Sequence, residues 1–400
     1  MLNEIKNLDK QYFMNTFGER LGVCFERGEG INLYDTEGGK YTDFFAGIAV
    51  NALGYCHPSY VKAICEQAGK LMHTSSLYYI KPQARLAEKL VNISCADKIF
   101  FANSGAEANE GAIKLAKIYF YKQGKTDKNE IITLTDSFHG RTLTTVAATG
   151  QPKYQKPYKP LTPGFSHVMI NDFDALLSAV TDKTAAIMLE LVQGESGVHE
   201  CDKEYIKKVR ALCDEKDIVL IVDEVQTGIG RTGKMFAYEN FGIEPDIFTL
   251  AKALGNGVPI GAVCAKDKFC AFEPGDHGST FGGNPFCTAV ALAVLNIIEE
   301  ESLVKNSLEV GTYFKTKLEE LMAKYPSLIK EVRGLGLMIG VEYKEGLSKK
   351  INAKMFENKF LCGSTATTLR ILPPLIITKA DVDEFIKILD NVTKEFADEN

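Results

Sequence analysis

Two ionisable side chains follow apolar runs and stand one structural unit apart: Asp223 in "IVLIVDEVQTG" and Lys252 in "FTLAKALGNGVPIGA", 252 − 223 = 29 residues on. A lysine enclosed by apolar residues has its pKa lowered and offers a neutral amine as nucleophile. An aspartate at the end of a buried strand can keep a ring nitrogen protonated, each pKa unit being worth about 1.4 kcal/mol. A spacing of 29 residues suits a strand-helix-strand unit, which lets both groups face one crevice.

Two further stretches supply what such a pair would need. In "FFANSGAEANEGAIKLAKIYF", Ser104 and Glu107 form the S-x-x-E capping box of a helix whose first turn holds Gly105 and Ala106. Unpaired N–H groups and the helix dipole favour an anion there, and small side chains let a phosphate approach the backbone. In "SFHGRTL", Phe138 could cover a flat ring and Arg141 could clamp a carboxylate, while His139 reads as a hydrogen-bonding turn residue. An amine, an acid for a ring nitrogen, a phosphate-binding helix end and an aromatic lid together describe a pyridoxal phosphate (PLP) site.

A rival reading comes from "GIGRTGKM", residues 228–235, which fits the phosphate-cradling loop of nucleotide triphosphatases up to Lys234. That loop needs a hydroxyl after the lysine to hold Mg²⁺, and Met235 offers a thioether instead. The acid of such a site also normally lies far from its loop in sequence, whereas Asp223 precedes this one by a few residues.

The elements that must position these groups are legible as short apolar runs between helical patterns. Residues 97–104, 131–134, 185–191, 218–224, 246–251 and 261–265 read as strands, most of them apolar on both faces, with helices over 105–122 and 203–216. This alternation predicts an α/β domain on a mainly parallel sheet, whose ligands sit beyond the carboxyl ends of the strands. Past residue 305, helices over 302–324 and 378–396 flank "GLMIGVEY" and "TLRILPP", which predicts a smaller α+β domain. The expected division is 1–55 as an N-terminal segment joining the small domain, 56–305 as the large domain and 306–400 as the small one. "RGLGLMIG" (333–340) precedes a strand and reads as a turn, not as a dinucleotide fingerprint.

Composition sets the outer limits. Four hundred residues, 45% of them apolar, suffice for a large core. A formal net charge of -6 with scattered Lys and Arg gives no footprint for nucleic acid. No run reaches the ~18 apolar residues of a membrane span, and the charged start "MLNEIKNLDKQYF" is unlike a secretion signal. Ten dispersed cysteines without a C-x-x-C pair predict reduced, buried thiols, no metal site and a cytoplasmic location.

The motifs "NSGAEANEGAIKLA", "SFHGRTL", "IVDEVQTGIGRTGK", "LAKALGNGVPIGA" and "GDHGSTFGGNP", in that order, resemble those of class III aminotransferases. The likeness runs from about residue 27 to near 378. It implies a fold type I PLP enzyme and assigns roles by motif. Lys252 would attach the cofactor and shuttle protons, and Asp223 would hold the ring nitrogen. Gln226 would approach the phenolic oxygen, Phe138 would stack on the ring, and Gly105 and Ala106 would bind the phosphate. Thr280 would reach the phosphate of a neighbouring subunit, with Ser279 near the substrate, which implies a homodimer. The "GIGRTGKM" stretch becomes the family's turn after the aspartate strand.

For substrates, the resemblance implies a ping-pong transfer of a terminal amine to 2-oxoglutarate. Arg141 would grip the donor's distal carboxylate and Arg370 the α-carboxylate of glutamate, and Glu195 would neutralise Arg370 when the terminal amine enters. An acetylornithine donor of arginine synthesis is the first expectation; succinylornithine, N-succinyl-diaminopimelate, ornithine, 4-aminobutyrate and a PLP aminomutase are the alternatives. Gly47 lies where ornithine-type enzymes carry a tyrosine, leaving room for an N-acyl group. Leu191 and Ser196 replace a proline and a glycine of the family pattern, and Phe17 an expected tyrosine.

Overall fold

Strands that are buried at every residue need cover on both faces, and four of them lie side by side here. The computed structural model describes residues 1–398, so the last two residues of the expected 306–400 segment lie outside the described residues. Thr184–Leu189, Val219–Asp223, Ile247–Leu250 and Gly261–Ala265 are buried throughout. They belong to a 7-stranded sheet in the order 98–102, 261–265, 247–250, 219–223, 184–189, 130–134, 165–168. Strand 261–265 runs antiparallel to both its neighbours, and the remaining pairs are parallel. The edge strand Phe165–Val168 was not legible in advance: it is four residues long and only Val168 is buried.

This sheet places the candidate groups on one rim. Asp223 ends its strand, Glu190 follows Thr184–Leu189 directly, and Lys252 comes two residues after Ile247–Leu250. Phe138 lies just beyond Glu130–Leu134, and helix Gly105–Lys122 starts just after Lys98–Ala102. Except for the reversed strand, all deliver their carboxyl ends to the same edge, where ligands of open α/β sheets bind.

The second sheet has the order 329–335, 338–343, 368–371, 363–364 and is antiparallel. Helices Leu303–Lys324 and Leu347–Glu357 pack on it, and helix Lys379–Asp398 packs on those two helices. The N-terminal hairpin Phe25–Glu29/Asn32–Asp35 continues into Lys40–Asp43, which pairs in parallel with Phe360–Leu361. Phe44 then packs against Phe385 (ring centroids 4.4 Å) and Phe314 (5.9 Å), so aromatic burial joins the two ends of the chain.

The "GIGRTGKM" turn sits at the seam between the sheets. Arg231 is buried and donates to the carbonyls of Leu337 and Pro373. Gly336, at φ 55°, lies so close that a Cβ there would stand 2.5 Å from the Gly233 nitrogen. A backbone packed this way has no open N–H cradle for a triphosphate. "RGLGLMIG" is the hairpin Ile329–Leu335/Met338–Tyr343 with its turn at 336–337, as its sequence suggested.

The cysteines correct one expectation. All ten are free thiols, but only Cys201, Cys213 and Cys264 are buried; Cys56 and Cys65 are exposed and the other five are partly exposed. Among the described residues no helix is long and apolar enough to cross a membrane.

Candidate active site

Asp223 is fixed by groups from three elements. Its Oδ2 accepts from Asn109 Nδ2 and His139 Nδ1, both at 2.8 Å, and its Oδ1 from the Val225 N–H at 3.0 Å. Asn109 is itself held at both ends: it donates to the His139 carbonyl at 2.7 Å and accepts from Thr249 Oγ1 at 2.7 Å. A carboxylate has about four acceptor sites, so one on Oδ1 remains for a further donor. His139 is therefore more than the turn residue its sequence suggested. It is buried, and although burial works against its charge, Asp223 outweighs that and holds its pKa above the ordinary value.

Lys252 reaches the same cavity from a strained backbone, φ 43°, outside the usual range of a non-glycine residue. Burial lowers its pKa to about 8, against the opposing pull of Asp223 and Glu190. Glu190 joins the site beyond the residues that the sequence singles out. It accepts from the Phe138 N–H at 2.9 Å, and burial, with Asp223 adding to it, pushes its carboxyl up to about 7.

At the far end of the cavity stands the first turn of helix Gly105–Lys122. Ser104 Oγ accepts from the Glu107 N–H at 3.1 Å, but Glu107 reaches back to the Asn103 N–H (2.6 Å) rather than to that of Ser104, so the capping box is shifted by one residue. The Gly105 and Ala106 N–H groups have no intrahelical acceptor. A Cβ on Gly105 would stand 2.8 Å from Val225 Cγ1, so this turn is pressed onto the residues after Asp223. Gln226 also lines the cavity, buried, with Oε1 lacking a hydrogen-bond partner. Gly194 makes room for it, since a Cβ there would come within 1.8 Å of that oxygen.

The cavity encloses about 750 Å³ and is lined by Gly105, Ala106, Phe138, Arg141, Glu195, Asp223, Gln226, Lys252 and Arg370 together, with Phe17, Gly47 and Ile48 at one side. Arg141 is exposed and stacks on Tyr154, 3.9 Å from the ring centroid. Arg370 is 7% exposed, with its guanidinium 5.5 Å from the Phe45 ring centroid, yet its Nε and Nη2 have no hydrogen-bond partner. Glu195 is bonded to Tyr154 and Gln151 instead. Ser279 and Thr280 are not brought into this cavity. They line a separate hollow that shares only Asn103 with it, where Ser279 Oγ accepts from Asn103 Nδ2 at 3.1 Å.

Several of these residues carry a signal in the sequence. Glu190 is a charged residue closing an apolar strand, the same pattern that marked Asp223. Asn109 is a polar residue on the small, buried face formed by Ala108, Gly111 and Ala112. Tyr154 and Gln151 left none, because only the fold of 151–155 brings them to Glu195.

The profile of the family described as aminotransferase class-III matches residues 13–393. The chain belongs to the class-III aminotransferases. Among members of this family, the acetylornithine aminotransferase of Methanocaldococcus jannaschii is 56% identical over 393 residues, 97% of this chain and 98% of that protein. The solved acetylornithine aminotransferase of Elizabethkingia anophelis superposes with a TM-score of 0.88 at 33% identity, covering 98% of this chain and 99% of that one. An ornithine aminotransferase of Toxoplasma gondii, solved with PLP partly occupying its active site, gives 0.94 at 31% identity, covering 99% and 95%.

Class-III aminotransferases are PLP-dependent transaminases, and the residues here fit that cofactor. The unused acceptor site of Asp223, the side-chain amide of Gln226 in the cavity wall, the two unpaired N–H groups at Gly105 and Ala106 and the buried Lys252 amine supply one partner for each polar end of the molecule.

Proposed function

We propose that this class-III aminotransferase transfers the terminal amine of acetylornithine to 2-oxoglutarate, in the manner needed for arginine synthesis. The observation that carries the reading is a single cavity holding an unpaired, buried Arg370, an exposed Arg141 and the Lys252 amine, with a glycine, Gly47, in its wall. Two separated guanidinium groups can take the two carboxylates of 2-oxoglutarate, or the one carboxylate of an acylated donor. Gly47 adds no side chain where an N-acyl group needs space. High identity to an acetylornithine aminotransferase supports the same donor.

The cofactor, when bound, supplies an aldehyde to take up the amine and a ring that withdraws electrons from the reacting carbon. Asp223 would hold the proton on its ring nitrogen, braced by Asn109 and His139. Gln226 would bond its phenolic oxygen, Phe138 would cover its face, and the Gly105 and Ala106 N–H groups would bind its phosphate. Lys252 would attach it, then use Nζ to take and return the proton of the carbon bearing the transferred amine. Arg141 and Arg370 would orient the two substrates. Thr280 and Ser279 would serve the site of a second copy, which makes the working unit a homodimer. We place the enzyme in the cytoplasm, and read residues 1–55 with 306–400 as one small domain beside 56–305.

A screen of amine donors that follows bleaching of the cofactor's visible band tests this. Acetylornithine should react fastest, and 2-oxoglutarate should restore the band. Faster reaction with unacylated ornithine would reassign the donor, and turnover without 2-oxoglutarate would indicate an aminomutase.

A further inference from the structure

Glu195 stands on the wall of a cavity that holds a buried cation, yet both its oxygens are engaged elsewhere. The Tyr154 hydroxyl donates to Oε1 at 2.6 Å and the Gln151 amide to Oε2 at 2.8 Å, with Lys153 Nζ 3.7 Å from Oε1. Burial opposes its ionisation, but these contacts and the charge of Arg370 outweigh it and keep its pKa below the ordinary value. Arg370 meanwhile has Nε and Nη2 unpartnered at 7% exposure. A buried guanidinium without a counter-ion is costly, so an unrestrained carboxylate nearby would be drawn to it.

Tyr154 is bonded to the Glu195 carboxylate and also packs against two residues of the cavity wall. Arg141 lies 3.9 Å from its ring centroid, and the Phe138 ring meets it edge-on at 5.9 Å. One side chain thus touches the lid residue, the donor clamp and the acid.

We propose that Tyr154, assisted by Gln151, is a latch that holds Glu195 away from Arg370 and so keeps Arg370 open for the carboxylate of the acceptor. Tyr154 is a positioning residue: it acts through Glu195 and takes no part in proton transfer. Releasing the latch lets Glu195 neutralise Arg370 and converts the cavity from a dicarboxylate site to one suited to an amine donor. Because Arg141 rests on the same ring, occupation of the clamp and release of the acid pass through one residue.

The inference rests on the reading of Arg370 as a carboxylate anchor, and one experiment separates the two. Glutarate, which has two carboxylates but neither carbonyl nor amine, is titrated calorimetrically into holoenzyme of the wild type and of Tyr154→Phe, Glu195→Gln, Tyr154→Phe/Glu195→Gln, Gln151→Leu and Arg370→Ala. Tyr154→Phe keeps the ring and loses the hydroxyl, and should weaken glutarate roughly tenfold, the scale of one hydrogen bond to a charged group. Glu195→Gln should not weaken it, and in that background Tyr154→Phe should have no further effect. Gln151→Leu should act as Tyr154→Phe does, which covers the case of a phenylalanine variant that folds poorly. In steady state, Tyr154→Phe should raise KM for 2-oxoglutarate and leave KM for the amine donor unraised. An equal loss with and without Glu195, or no loss in either, would overturn the latch. Undiminished binding by Arg370→Ala would overturn the anchor instead.

Discussion

Asp223 has three of its four acceptor sites filled by Asn109, His139 and the Val225 amide, so its position does not depend on what binds the fourth. Replacing it with asparagine keeps the shape and removes the charge. Asp223→Asn should lower kcat on the order of 100-fold, the usual loss when one preorganised electrostatic group is removed, with the fold unchanged by circular dichroism. Lys252 gives a pH prediction. Its pKa is depressed to about 8 because burial disfavours the ammonium form, so the neutral amine accumulates as pH rises through 8. The rate at which cofactor-free enzyme captures PLP should climb through that pH, not through the ~10.4 of a free lysine. Glu190 raises this pKa, so Glu190→Gln should move the midpoint lower. At this scale the sequence exposed residues that follow strands, Asp223 and Lys252 among them. It hid those whose role is set by a partner far along the chain, such as Asn109, Tyr154 and Gln151.

At the scale of elements, two close contacts set the geometry of the cavity. Gly194 lies against Gln226, and Gly194→Ala should displace that amide, costing about 1–3 kcal/mol by overpacking and weakening retention of PLP in equilibrium dialysis. The helix Gly105–Lys122 begins at Ser104, whose hydroxyl takes one orphan N–H. Ser104→Ala should cost about 1 kcal/mol, read as a lower midpoint in urea unfolding. Strands buried on both faces were legible because their residues are uniformly apolar, as at 184–189 and 261–265. The edge strand Phe165–Val168 was not, since one covered face and four residues leave no pattern to read. The shifted capping box also escaped, because sequence fixes the residue types of a cap but not which N–H the glutamate reaches.

The whole molecule adds what no segment contains. Ser279 and Thr280 line a hollow apart from their own chain's cavity, beside the exposed Phe281, while Leu77, Tyr78 and Tyr79 are also exposed. Under the shared-site reading, Lys252→Ala and Thr280→Glu chains should each be inactive alone. Unfolded and refolded together, they should recover about a quarter of wild-type activity, because half the dimers are hybrids with one intact site of two. Recovery near zero would confine each site to one chain. The pairing of Lys40–Asp43 with Phe360–Leu361 likewise joins segments more than three hundred residues apart. Neither segment's composition announces the other, so only a change in texture near residue 305 hinted at a second domain.

Transamination at this site requires one lysine to carry the cofactor. The direct measurement is reduction of the PLP-loaded enzyme with borohydride, followed by peptide mapping of the fixed label. The predicted result is loss of the visible band with a single pyridoxyl group on Lys252. A label on any other lysine, or a protein that binds no coloured cofactor, would contradict it.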